Sequence, residues 1–282
     1  EAPQGYDLIV LDAFTGDAIP GHLLTVEAFA QYIKHLKQDA AGNPTGIIAV
    51  HISNRYLDLE PVQVAGWEPL LIRELARHRA EELPYLAAYA DQVLRASRLG
   101  LDEGNMTCLI ASSRDLYQRQ ARYAVTLVTP LLAGLSPAQI KRLDQRFKEE
   151  AEEDLAELAE GGGSAERVRR TRRLVDALED WTGPLASGQE ALVAEAMGRM
   201  PETRRLYLDY RGYQRGNLIT LLEAKAGEAR ISAFLTDWLV DWREMPPALD
   251  QARGTMDAVI AKLFIRLAAS LDQTQRDWLD KR

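Results

Sequence analysis

From Leu59 to the end of the chain, the alternation of apolar and polar residues that marks a strand gives way to apolar residues spaced three and four apart. That is the period of a helix burying one face, so residues 59–282 must pack helix on helix. Pro61, Pro84, Pro137, Pro201 and Pro247 each stand where a helix can begin, because the first helical position needs no N–H. Ser136, Ser164 and Asp272 are candidate N-caps. The pattern predicts helices over 61–80, 84–98, 102–133, 137–160, 165–181, 187–199, 202–224, 228–243, 247–270 and 273–281.

Four helix starts share a motif. Leu59-Glu60-Pro61-Val62-Gln63 resembles Leu135-Ser136-Pro137-Ala138-Gln139, and Leu185-Ala186-Ser187-Gly188-Gln189 and Leu271-Asp272-Gln273-Thr274-Gln275 are looser copies. Staple-and-capping-box chemistry accounts for each alone, since a Gln three residues into a helix can accept the N-cap N–H. Separations of 76, 50 and 86 residues between successive glutamines are too uneven for a solenoid, so four independent starts are expected.

The beginning of the chain reads differently. Tyr6 to Asp12 is a short apolar run ending on an acid, Thr25 can cap a helix through Lys37, and Gly46 to Ile52 is a second buried strand. The connection is long enough for a crossover, giving one βαβ unit. An Asp at the carboxyl end of such a strand sits where α/β sheets place ligand-binding groups. A strand that opens at once, with no initial Met, is expected of a fragment.

Several functions are disfavoured by composition. No apolar run reaches the roughly 18 residues of a membrane span. Cys108 is the single cysteine, so there is no internal disulfide and no Cys-rich zinc site, and its apolar surroundings predict a buried, inert thiol. None of His22, His35, His51 and His78 forms a metal-binding pair, so no metal site is expected. A net charge of −8, from 34 basic and 42 acidic residues, argues against nucleic-acid binding. The acids from Glu149 to Glu160 and the arginines from Arg167 to Arg173 flank Gly161-Gly162-Gly163, which predicts a hairpin that sets them side by side. Phe234, Trp238 and Trp242 are spaced as a helix-packing stripe near Tyr207, Tyr210 and Tyr213.

Residues 6–59 resemble the C-terminal half of the spermidine synthase-like family. The resemblance is carried by Tyr6 to Phe14, Asp17-Ala18-Ile19-Pro20, His22-Leu23-Leu24-Thr25 and His51 to Leu59. It implies a Rossmann-like fold and aminopropyl transfer from decarboxylated S-adenosylmethionine to a small-molecule amine. Asp12 and Asp17 would then be the catalytic carboxylates, holding the ammonium and taking its proton. His22, His51 and Asn54 would lie at the substrate pocket. The family's acids are typically three apart and followed by Pro, whereas Asp12 and Asp17 are five apart. Its glycine-rich nucleoside loop has no counterpart here, so this chain alone is expected to bind no cofactor.

Residues 56–282 resemble an uncharacterised all-helical family of bacterial envelope lipoproteins. The residues that carry this are Arg73 to Tyr85, Leu135 to Gln139, Trp181 to Leu185 with Gln189 to Val193, and Leu271 to Leu279. The resemblance implies a periplasm-facing helical domain held by a lipid anchor, and the expected function is a domain that binds a protein client or acts as a scaffold. Its Leu-Ser/Thr-x-x-Gln helix starts are also similar to those of small periplasmic stress chaperones. The expected fold class is therefore mainly α, with a partial Rossmann-like βαβ unit at the N-terminus followed by a multi-helix bundle. The expected division is 1–58 and 59–282, joined where Tyr56-Leu57-Asp58-Leu59 suits both families.

Overall fold

The computed structural model describes residues 8–11, 47–50 and 56–281. Strands β1 (Leu8–Leu11) and β2 (Ile47–Val50) pair in parallel, with Leu8 opposite Ile47 and Leu11 opposite Val50. Everything regular after Tyr56 is helical: α1 (Pro61–Glu81), α2 (Leu83–Leu99), α3 (Glu103–Ala133), α4 (Pro137–Thr182), α5 (Ser187–Arg199), α6 (Arg204–Glu223), α7 (Glu228–Leu235), α8 (Pro247–Ser270) and α9 (Gln273–Lys281). A π-helical turn, Thr236–Val240, follows α7.

The expected Rossmann-like βαβ unit does not hold. The two strands form a two-stranded sheet, and no crossover helix covers them among the described residues. A Rossmann-like unit is a multistranded parallel sheet with helices on both faces. Apolar, β-branched runs are enough to make short strands, but they do not say what layer lies on them. Thr25 and the helix expected after it lie outside the described residues.

α1 and α2 form one long helix broken at Glu82. Pro84, at the second position of α2, lacks an N–H and crowds the preceding turn, which forces the break. Both halves run antiparallel along α3. The Trp67 indole donates to the Leu127 carbonyl at 2.8 Å, His78 bonds Gln120 at 2.6 Å, and Arg119 donates to Glu82 at 2.8 Å. Residues Gln63, Trp67, Leu71, Glu74 and His78 therefore make up the inward face of α1.

α4 is a single helix of 46 residues, about 69 Å long at 1.5 Å per residue. One core packs on its first turns, with Ile140 and Leu143 against Val125 and Leu132 of α3, Leu218 and Leu222 of α6, and Ile231 of α7. A second packs on its last turns, with Leu178 against Val193 and Met197 of α5 and Leu263 and Leu267 of α8. A third joins Ala96 of α2 to Met106 and Leu109 of α3, with Phe264 of α8 against them.

The hairpin expected at Gly161-Gly162-Gly163 is absent, because α4 runs straight through it, and Ser164 stands within the helix and not at its start. Each Gly costs about 1 kcal/mol in a helix, so three cost about 3 kcal/mol. Packing at both ends of α4 outweighs that. The acids of α4 pair instead with α6: Glu150 with Arg215 at 2.8 Å, Asp154 with Arg211, and Glu157 with Arg204 at 2.5 Å. Carboxylates at 150, 154 and 157 meet guanidinium groups at 215, 211 and 204, which is the descending register of antiparallel helices. Lying mid-helix, the acids escape the unfavourable helix C-terminus expected of them.

Candidate functional site

The four Leu-x-x-x-Gln starts are not independent. Gln63 and Gln139 join as a reciprocal amide pair: Gln139 Nε2 donates to Gln63 Oε1 at 2.8 Å, and Gln63 Nε2 donates to Gln139 Oε1 at 3.2 Å. Each oxygen also accepts its own N-cap amide, from Glu60 at 2.8 Å and from Ser136 at 2.9 Å. The second proton of each amide crosses to the other loop: Gln63 reaches the Gly134 carbonyl at 2.9 Å, and Gln139 the Asp58 carbonyl at 2.9 Å. Both acceptors lie two residues before the other helix's N-cap, so the clasp has near two-fold symmetry.

Gln189 and Gln275 repeat the arrangement at the far end of α4. Their amides exchange hydrogen bonds at 2.8 Å in both directions. Their oxygens accept the Ala186 and Asp272 amides at 2.8 and 3.1 Å. Their remaining protons go to the Ser270 and Pro184 carbonyls at 3.0 and 2.9 Å, again two residues before the opposite N-cap. A Gln amide has two donors and two acceptor sites, and here all four are used. The clasps therefore have no capacity left for a ligand, and they tie together chain segments 76 and 86 residues apart.

N-cap chemistry differs among the four. Asp272 Oδ1 accepts the Gln275 N–H at 2.8 Å and Ser136 Oγ accepts that of Gln139 at 3.3 Å, whereas Ala186 has no such group. Asp272→Ala is accordingly expected to cost about 1 kcal/mol. Faster amide exchange in α9, with α1 unaffected, would show it.

The surface of the broken helix facing away from α3 is apolar. Val62, Ala65, Pro69, Ile72, Ala76 and Ala80 on α1, then Leu83, Ala87, Ala90 and Leu94 on α2, are all exposed, Val62 by 72 % and Ile72 by 48 %. Their spacing of three and four residues is that of a helix-packing seam. The opposite side of α2 forms an open groove of about 390 Å³ with α3, lined by Tyr85, Tyr89, Gln92, Asp115 and Arg119. In it Arg119 lies 3.7 Å from the Tyr85 ring centroid and clamps the buried Glu82 carboxylate through two nitrogens. That hydrogen-bonded pair holds the Glu82 carboxyl below the usual carboxylate range.

The site residues named from the sequence, Asp12, Asp17, His22, His51 and Asn54, lie outside the described residues, as does His35. Cys108 is exposed on α3, not buried, because its surroundings are apolar in sequence but its side of the helix faces solvent. His78 packs edge-on against Tyr123 at 5.4 Å as well as bonding Gln120. Trp242 leaves the expected stripe. The π-helical turn ends the helix, Trp242 takes a left-handed backbone (φ 52°), and its ring stacks on Tyr117 at 5.6 Å. Phe234 and Trp238 keep their contact at 5.9 Å. Tyr210 is buried, and Tyr207 and Tyr213 are exposed.

Among the described residues no group of His, Cys, Asp and Glu is arranged to hold a metal, and no helix is long and apolar enough to cross a membrane. No curated protein and no solved structure matches the chain. The spermidine synthase-like resemblance of residues 6–59 has no counterpart among the family matches. One family model does match, over residues 55–244, a span that holds the first clasp, Gln189, the apolar seam and the α4–α6 ladder. By that match the chain belongs to a family of unknown function, DUF6279.

Proposed function

We propose that the chain is a helical scaffold that takes a polypeptide partner on the outward seam of α1 and α2. The observation that carries this reading is the seam itself: ten exposed positions in helical register, none of them charged, on a chain of net charge −8. Contiguous exposed apolar surface of this kind marks interaction sites, and helical register suits a helix laid alongside. The Gln63–Gln139 clasp supports the reading, because it fixes the start of α1, which presents the seam, against the start of α4. A periplasm-facing place in the bacterial envelope belongs to the same proposal and rests on the resemblance of residues 56–282.

The test is photo-crosslinking in the expressing cell, with a photoreactive residue at Ile72 or Leu94 and a control at exposed Glu152 on α4. Covalent adducts with a polypeptide are expected from the two seam positions and not from the control. Adducts from all three alike, or from none, would remove the basis for the reading.

A further inference from the structure

We infer that the partner on α2 is a second copy of this chain, laid antiparallel across a two-fold axis; this rests on the scaffold reading. The four seam residues of α2 form a palindrome, Leu83, Ala87, Ala90 and Leu94, centred between Ala88 and Tyr89. An axis through that centre sets Leu83 on the partner subunit's Leu94 and Ala87 on the partner subunit's Ala90. A two-fold contact must be self-complementary in this way. A seam evolved for an unrelated helix has no need of the symmetry. The small central pair lets the helix axes approach to about 8 Å, while the leucines close both ends.

Charge permits the same occupant. Two copies of a chain at −8 repel, so they can meet only where the acids are few. Between Leu83 and Leu99 the charged residues are Asp91, Arg95 and Arg98, which leaves α2 locally positive. Pro84 and Val93, beside the seam, are exposed and uncharged. Helices of 17 residues span about 26 Å, so this contact is at the small end of specific interfaces.

Sedimentation of the full chain at concentrations from about 1 to 200 µM reads this directly. Conversion from 31.5 kDa to twice that mass is expected as concentration rises. Ala90→Glu, at an exposed position, should weaken the dimer at least about tenfold while leaving the melting curve of the monomer unchanged. Geometry is tested in a Cys108→Ser background. Oxidising a mixture of the Leu83→Cys and Leu94→Cys variants should give a crosslinked pair, and either variant alone should not, because its own thiols lie about 16 Å apart across the axis. A 31.5 kDa species at every concentration, or equal crosslinking by the single variants, would overturn the inference. A monomer whose Leu94 still photo-crosslinks to some other polypeptide would overturn it and leave the scaffold reading standing; absence of both removes the two together.

Discussion

Gln139→Ala is expected to destabilise the fold by about 3 kcal/mol, among the largest effects of any single substitution outside the apolar cores. Gln139 is 1 % exposed. Removing its amide strands the Ser136 N–H, the Asp58 carbonyl and half of the Gln63 amide, whose bonds to it are part-buried. Each stranded group costs about 1 kcal/mol or more. Chemical denaturation of the variant measures the loss.

The clasp geometry makes a sharper demand in double variants. Gln63→Ala added to Gln139→Ala should cost less than the sum of the two single variants, since the bonds between the two amides are lost only once and the second substitution adds only the loss of the Glu60 and Gly134 partners. Gln189→Ala added to Gln139→Ala should be additive, because the clasps lie at opposite ends of a helix about 69 Å long. Additivity within one clasp would mean that the two glutamines are separate caps after all. Gln139→Glu should be worse than alanine at neutral pH, since a carboxylate would face the Asp58 carbonyl and Gln63 Oε1 with no proton to give either.

The second large effect is at the break between α1 and α2. Arg119→Met is expected to cost about 3 kcal/mol, because it leaves the Glu82 carboxylate buried with no partner. Glu82 is 3 % exposed, and Arg77 and His78 of α1 are near it without replacing the two hydrogen bonds from Arg119. The pH dependence separates this from simple loss of packing. In the native chain the guanidinium of Arg119 lowers the Glu82 pKa. The unfolded chain therefore takes up that proton first as the pH falls. The pair's contribution is complete above the ordinary carboxylate range and is lost as pH drops below about 4.5. In Arg119→Met burial dominates and should raise the same pKa. Stability from this group would then be greatest at low pH and fall as pH rises. Melting temperatures of the two proteins across pH 3–7 should converge toward the acid end; parallel curves would show that Glu82 is not the group responsible.

Helix positions were legible in the sequence because their determinants are local. The bounds 187–199, 247–270 and 273–281 are those of α5, α8 and α9, and Pro61 and Pro137 open α1 and α4 as first residues. The motif that repeats four times was equally visible. Its pairing was not, because a Gln at the third position satisfies its own N-cap whether or not another amide faces it, and nothing local distinguishes the two cases. The seam was legible only in part: its three- and four-residue spacing lies in the sequence, but which stripe of α1 faces outward depends on where α3 lies.

Beyond the helices' positions, the sequence by itself determined where the capping groups and charges stand along each one, since period, propensity and cap chemistry act within a few residues. Tertiary structure alone decided that α4 continues through Gly161-Gly162-Gly163, that its acids face α6 and not the arginines just beyond the glycines, and that Gln63 meets Gln139 while Gln189 meets Gln275. In each case the local preference is worth only a few kcal/mol, and packing between segments 47 or more residues apart is strong enough to override it.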